Sequence, residues 1–226
     1  MANHLDLEEQ EQLDQLKHFW STWGTLISSV LVVVFGAVAA WNGYQFWQNR
    51  QASQAAALFD AVEVAVRAGD QPRLEQAFGD IREKYPRTMQ AAQAGLLVAK
   101  VEAEKGQRDA AKAALEWVAA SASDDGYKAL ARLRMASLLV EQKAYDEALQ
   151  QLTNSFPAEF DAVKADRKAD ILVLQGKKQE AIAEYSRAYK SFGEASEYRR
   201  LVEVKLNALG IQPQAVASVA KAETAK

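Results

Sequence analysis

The chain has 226 residues, 43 of them alanine, and a net charge of −3. That balance argues against a nucleic-acid binder held by bulk electrostatics, and the absence of cysteine excludes disulfides, thiolate nucleophiles and Cys-ligated metals. Abundant alanine beside only 11 Gly and 4 Pro favours helix over sheet, while a mean hydropathy of −0.26 conceals a sharp division along the chain.

Residues 1–19 form an acidic tail, with Asp6, Glu8, Glu9, Glu11 and Asp14 against Lys17. It holds both histidines, His4 and His18, and reads as a frayed helix. Between Lys17 and Arg50 lies a run of 32 residues without Asp, Glu, Lys or Arg. A helix needs about 20 residues to span the hydrocarbon layer, and Gly24–Tyr44 supplies 21. Trp20 and Trp23 flank one end, and Trp41, Tyr44 and Trp47 the other, as interfacial aromatic belts do. Bulky aromatics and an acidic leader do not suit a cleaved signal peptide. The segment 20–47 is therefore expected to be an uncleaved anchor surrounded by lipid. Lys and Arg counts on either side of it give no orientation. Within it, Gly36 with Ala40, and Ala39 with Gly43, are small-xxx-small pairs of the kind that let helices approach closely in lipid.

Residues 48–210 carry a repeat. Gly106–Leu115, Lys143–Leu152 and Gly176–Tyr185 align without gaps. Each opens on a turn residue, places Ala five positions later (Ala111, Ala148, Ala181) and a large apolar residue four beyond (Leu115, Leu152, Tyr185). Gly69 opens a weaker copy with Phe78, and Gly210 follows the last, giving turn positions 69, 106, 143, 176 and 210. This resembles the tetratricopeptide repeat, a helix–turn–helix unit of about 34 residues. Ala188 and Pro86 also match that family's pattern. The aromatic that opens its first helix is missing, and Ala99, Ala136 and Ala169 stand where it places a small residue.

The fold class expected is all-α: one N-terminal transmembrane helix, then a tetratricopeptide-repeat-like solenoid. Helices are predicted at about 52–68, 72–84, 88–105, 108–120, 126–142, 145–154, 160–175, 178–191 and 194–209, the last as a cap. Stacking of repeats buries what one repeat cannot. Residues 211–226 lack a periodic apolar face and are expected to be disordered.

No catalytic or phosphate-binding motif occurs, and the repeats contain no histidine. A non-enzymatic protein without metal or cofactor is expected. The closest carboxylate pair, Asp166 and Asp170, lies one turn apart and reads as a solvated or partner-facing helix face. By analogy with the repeat family, the inner face of the solenoid is expected to be lined by Lys100, Glu104, Leu133, Ser137, Val140, Asp166 and Asp170. That mixture suits a polypeptide partner better than a small ligand.

The order of parts narrows the resemblance. A short acidic tail leads to LKHFWSTWG, an anchor ending AAWNGYQFWQNRQ, the alanine-rich QASQAAALFDAVEVAV, and then degenerate repeats. This is similar to the YfgM family, ancillary subunits of the bacterial SecYEG translocon. The resemblance implies an inner-membrane protein with a cytoplasmic N-terminus and a periplasmic repeat domain. It implies association with the SecYEG translocon and with the periplasmic folding factor PpiD. The function expected is to assist client polypeptides, secreted or membrane proteins, as they emerge. A scaffold of the envelope or a stress-response regulator would use the same solenoid for a different partner.

Overall fold

Helix formers with few breakers give a chain of helices joined by short turns. The computed structural model describes residues 7–193 and 195–213, and among these there is no strand. The first helix, α1, runs over Leu7–Ala68 and so takes in residues 7–19 of the tail, the apolar run and the first alanine-rich segment. Then follow α2 (Gln71–Lys84), α3 (Met89–Glu104), α4 (Arg108–Ser121), α5 (Asp125–Glu141) and α6 (Tyr145–Gln151). A 3-10 turn at Ala158–Phe160 leads into α7 (Asp161–Leu174), α8 (Lys178–Ser191) and α9 (Glu197–Ala208). The tail expected to be disordered lies outside the described residues from 214 onward, as do residues 1–6.

Three helix starts, those of α2, α3 and α5, are fixed by a capping side chain. Asp70, Thr88 and Asp124 each accept a hydrogen bond from the backbone N–H three residues on, at 3.1, 3.3 and 3.0 Å. Such a side chain satisfies one donor that the first turn leaves open. Helix ends follow one rule at all five repeat turns. Gly69, Gly106, Lys143, Gly176 and Gly210 have φ of 66°, 77°, 59°, 73° and 85°. The next N–H reaches back five residues to Ala65, Glu102, Leu139, Leu172 and Leu206, at 2.8–3.0 Å. This left-handed C-terminal closure satisfies carbonyls that the last turn leaves free. The turn spacing read from sequence is thus a spacing of helix stops.

Two boundaries differ from expectation by three residues. α9 begins at Glu197, later than the expected 194, and α6 ends at Gln151, earlier than the expected 154. Thr153 Oγ1 donates to the Gln150 carbonyl at 2.8 Å, and Asn154 Nδ2 to the Gln151 carbonyl at 3.1 Å. These side chains replace the backbone donors a longer helix would use.

The chain divides into two compact units, Met1–Gln51 and Ala52–Lys226. In the second, α3 pairs with α4, α5 with α6 and α7 with α8, and α9 packs on α8. Ala111, Ala148 and Ala181 are fully buried, and Leu115, Leu152 and Tyr185 nearly so. Ala99, Ala136 and Ala169 are buried with them. A buried methyl in place of a longer chain brings the paired helix axes together. Gly95 goes further: a Cβ there would lie 2.4 Å from Val118 Cγ2. Two apolar clusters result. The larger runs from Ala55 to Ile171, and the smaller joins α7, α8 and α9 through Leu172, Tyr185, Val202 and Leu206.

Candidate interaction surfaces

In the first unit, α1 is the one helix among the described residues long and apolar enough to cross a membrane. From Trp23 to Trp41 the rise is about 27 Å at 1.5 Å per residue, close to the hydrocarbon thickness. Trp20, Trp23, Trp41, Tyr44 and Trp47 are all half or more exposed. Tyr44 and Trp47 stack with ring centres 6.2 Å apart. Three hydroxyls near the first belt, those of Ser21, Thr22 and Ser29, are satisfied within the helix. Thr22 Oγ1 donates to the His18 carbonyl and Ser29 Oγ to the Thr25 carbonyl, at 2.9 and 2.7 Å. Internal satisfaction of this kind is what a lipid environment demands. Ala39 and Ala40 are exposed, and a Cβ on Gly36 or Gly43 would meet open space. That small-residue side of α1 is uncovered.

In the repeat unit, three of the seven predicted inner-face residues come together. Lys100 and Glu104 of α3 and Ser137 of α5 line a concavity of about 320 Å³. Its floor is apolar, from Ala99, Ala103, Ala111, Leu115 and Leu138, and its rim adds Arg134 and Glu141. Arg134 Nη1 donates to the Leu96 carbonyl at 3.0 Å, tying α5 to α3. Lys100 and Glu104 approach at 3.8 Å with both side chains 64 % exposed. An ion pair that exposed contributes little, so either charge can turn to a partner at small cost. With two cations and two carboxylates on an apolar floor, the groove matches a polypeptide of mixed charge and not a polyanion.

The other predicted residues lie elsewhere. Leu133 is buried in the core and Val140 packs half-buried against it. On α5 the groove side is therefore carried by Arg134, Ser137, Leu138 and Glu141, and Leu133, 100° round the helix from Arg134, turns inward. Asp166 and Asp170 face a partner within the chain. Lys205 of α9 donates to Asp166 Oδ1 at 2.7 Å and to Asp170 Oδ1 at 2.8 Å. Tyr185 of α8 donates its hydroxyl proton to Asp170 Oδ1 at 2.6 Å. Burial holds the Asp166 carboxyl above the ordinary carboxylate range despite the Lys205 hydrogen bond. Burial, then the bond to Asp170, pushes the Tyr185 phenol well above its usual value, so it remains a donor. This cluster ties the capping helix to α7 and α8. Sequence reading missed Lys205 and Tyr185 because they stand 15 to 39 residues from the aspartates. Among the described residues no group of three His, Asp or Glu side chains could hold a metal ion.

Comparison with known proteins agrees with this architecture. A family model described as a tetratricopeptide repeat-like domain matches residues 17–211. A protein of Neisseria gonorrhoeae named ancillary SecYEG translocon subunit is 35 % identical over 213 residues, spanning 92 % of this chain and all of that protein. Proteins of the same name from Haemophilus influenzae and Escherichia coli are 27 % and 26 % identical, each covering 90 % of this chain and 98 % and 97 % of their own.

Proposed function

Because the chain belongs to the YfgM family of tetratricopeptide repeat-like proteins, we propose that it is a membrane-anchored interaction module of the SecYEG translocon. On this reading it is a non-enzymatic adaptor. α1 anchors it in the bacterial inner membrane with residues 1–19 cytoplasmic and the repeat unit periplasmic. The small-residue side at Gly36, Ala39, Ala40 and Gly43 packs on a helix of the translocon. The repeat unit meets a PpiD-like folding factor and emerging client polypeptides. The observation that carries the reading is the groove between α3 and α5, with an apolar floor and a mixed-charge rim at Lys100, Glu104, Arg134 and Glu141. It offers a polypeptide both contact area and hydrogen bonds. Asp166 and Asp170 act in this scheme by holding α9 in place.

The test is photocrosslinking in native membranes. A photoreactive residue at Ser137 is expected to capture a periplasmic folding factor or a translocating client, and one at Gly36 a translocon subunit. A reporter that is active only outside the cytoplasm, fused after Gly210, is expected to be active. An inactive reporter would reverse the orientation. Recovery of neither class of partner from either position would remove the translocon assignment.

A further inference from the structure

A second cleft lies on the opposite side of α3 from the α3–α5 groove. Val98 and Glu102 face it, whereas Lys100 and Glu104 face the groove, about 200° round the helix. It encloses about 260 Å³ between α2 and α4. Leu74, Phe78, Val98, Ala110, Ala113 and Ala114 give it apolar walls, and Gln71, Glu75, Arg82 and Gln107 add polar groups to its lining. At one end sits Glu102, the buried charged residue of the described core, only 2 % exposed.

Glu102 is half satisfied. Its Oε1 accepts from Gln71 Nε2 at 3.1 Å, and its Oε2 is buried with no hydrogen-bond partner. Gln71 has nothing left to give. Its amide also donates to Glu75 Oε1 at 2.9 Å, and its carbonyl oxygen accepts from Lys105 Nζ at 2.6 Å. The nearest cation of α2 that lines the cleft, Arg82, stands eleven residues along from Gln71, about 16 Å. It is engaged over the rings of Phe78 and Trp117 at 5.2 and 5.4 Å. A buried carboxylate oxygen without a donor is costly, and Glu102 lines the cleft, so a small turn of its side chain would bring that oxygen to a donor from outside.

We propose that this cleft binds the side chain of a lysine presented by a polypeptide, its ammonium on Glu102 Oε2 and its methylene stem between α2 and α4. One open oxygen suits a compact ammonium, whereas the guanidinium fork of arginine seeks two. The volume is below the roughly 300–1,000 Å³ of small-molecule sites, which fits one long side chain whose main chain stays outside. The cleft is separate from the groove of the proposed function, so either can fail without the other.

The test uses the full chain in lipid nanodiscs, followed by the methyl resonances of Leu74 and Val98. A blocked alanine pentapeptide with one central lysine is expected to shift them in a saturable way. Acetylation of that lysine is expected to abolish the shift, and Glu102→Gln to raise the half-saturating concentration at least tenfold. Equal binding of the acetylated peptide, or undiminished binding to the Glu102→Gln chain, would overturn the proposal. Shifts from n-butylammonium with none from the peptide would overturn the polypeptide source. Silence from every probe would mean that water completes Glu102 and that the cleft is no site.

Discussion

Lys143 occupies a turn position that the other four repeats fill with glycine, and it does so at φ 59°. For a residue with a Cβ this left-handed conformation costs about 1–2 kcal/mol. Its neighbours hold it there, because Ala144 N–H bonds the Leu139 carbonyl at 2.9 Å as its counterparts do elsewhere. Lys143→Gly relieves the strain but adds about 0.4–1 kcal/mol of unfolded-state entropy. We therefore expect a net gain of about 0.5–1 kcal/mol in denaturant unfolding of the full chain in detergent. The reverse change at an equivalent turn, Gly176→Ala, is expected to lose about 1 kcal/mol or more. Asp166 offers a second residue-scale test. Its folded carboxyl titrates above the ordinary value of 3.8 because it is buried. The folded chain thus holds that proton more tightly than the unfolded chain does. Its contribution to stability is greatest below 3.8 and declines as pH rises from there through the folded value. Asp166→Asn removes this dependence. Relative to the parent, the variant is expected to fare better at pH 7 than at pH 4, read from amide exchange in α9. Lys205→Met acts oppositely at neutral pH, since it takes the hydrogen-bonded ammonium from Asp166 and leaves Asp170 only the Arg167 cation, at 3.9 Å, and should loosen α9 by about 1–3 kcal/mol.

At the scale of elements, the α3–α4 pair is set by close approach. Gly95 admits Val118 to a distance no Cβ would tolerate, 2.4 Å, with the Trp117 ring at 3.3 Å. Gly95→Ala has helix propensity in its favour by about 1 kcal/mol. The overlap must push α4 away or force Val118 and Trp117 off their rotamers, at about 1–3 kcal/mol. We expect net destabilisation, reversed by Val118→Ala in the double variant more than additivity allows. The repeat register was readable beforehand because it lives in local sequence. Turn residues stop helices, and Ala111, Ala148 and Ala181 recur at fixed offsets from them. The small-residue role of Gly95 was not readable, since nothing near it in sequence announces Val118. The site was legible only where helix phase sufficed. Lys100, Glu104 and Ser137 reach one groove, whereas Leu133 is one residue out of phase on α5 and lies in the core. Asp166 and Asp170 read as a solvated or partner-facing helix face, because their partner Lys205 stands 39 and 35 residues away.

At the scale of the whole repeat unit, stability should be distributed and not all-or-none. A stack of repeats gains its cohesion from nearest neighbours, and here the apolar interior is itself divided. The larger cluster extends through α3, α4 and α5 to Ile171, and the smaller binds α7, α8 and α9, with Leu149 packing against both. The seam between them falls at α6, which is only seven residues long. Short helices contribute few amphipathic contacts, so the seam is where cooperativity should weaken. Hydrogen exchange on the full chain is expected to show α8 and α9 opening at lower free energy than α3 to α5, by at least about 1 kcal/mol. Leu139, 2 % exposed in α5, provides the control. Leu139→Ala should cost about 2–5 kcal/mol by leaving a cavity. If the two clusters are separate units, that loss appears in the α3–α5 amides and only weakly in α8 and α9. Lys205→Met should do the converse, lowering α8 and α9 while leaving α3–α5 as they were. Equal shifts throughout the unit for both variants would show one cooperative block, and the division at α6 would then have no energetic meaning.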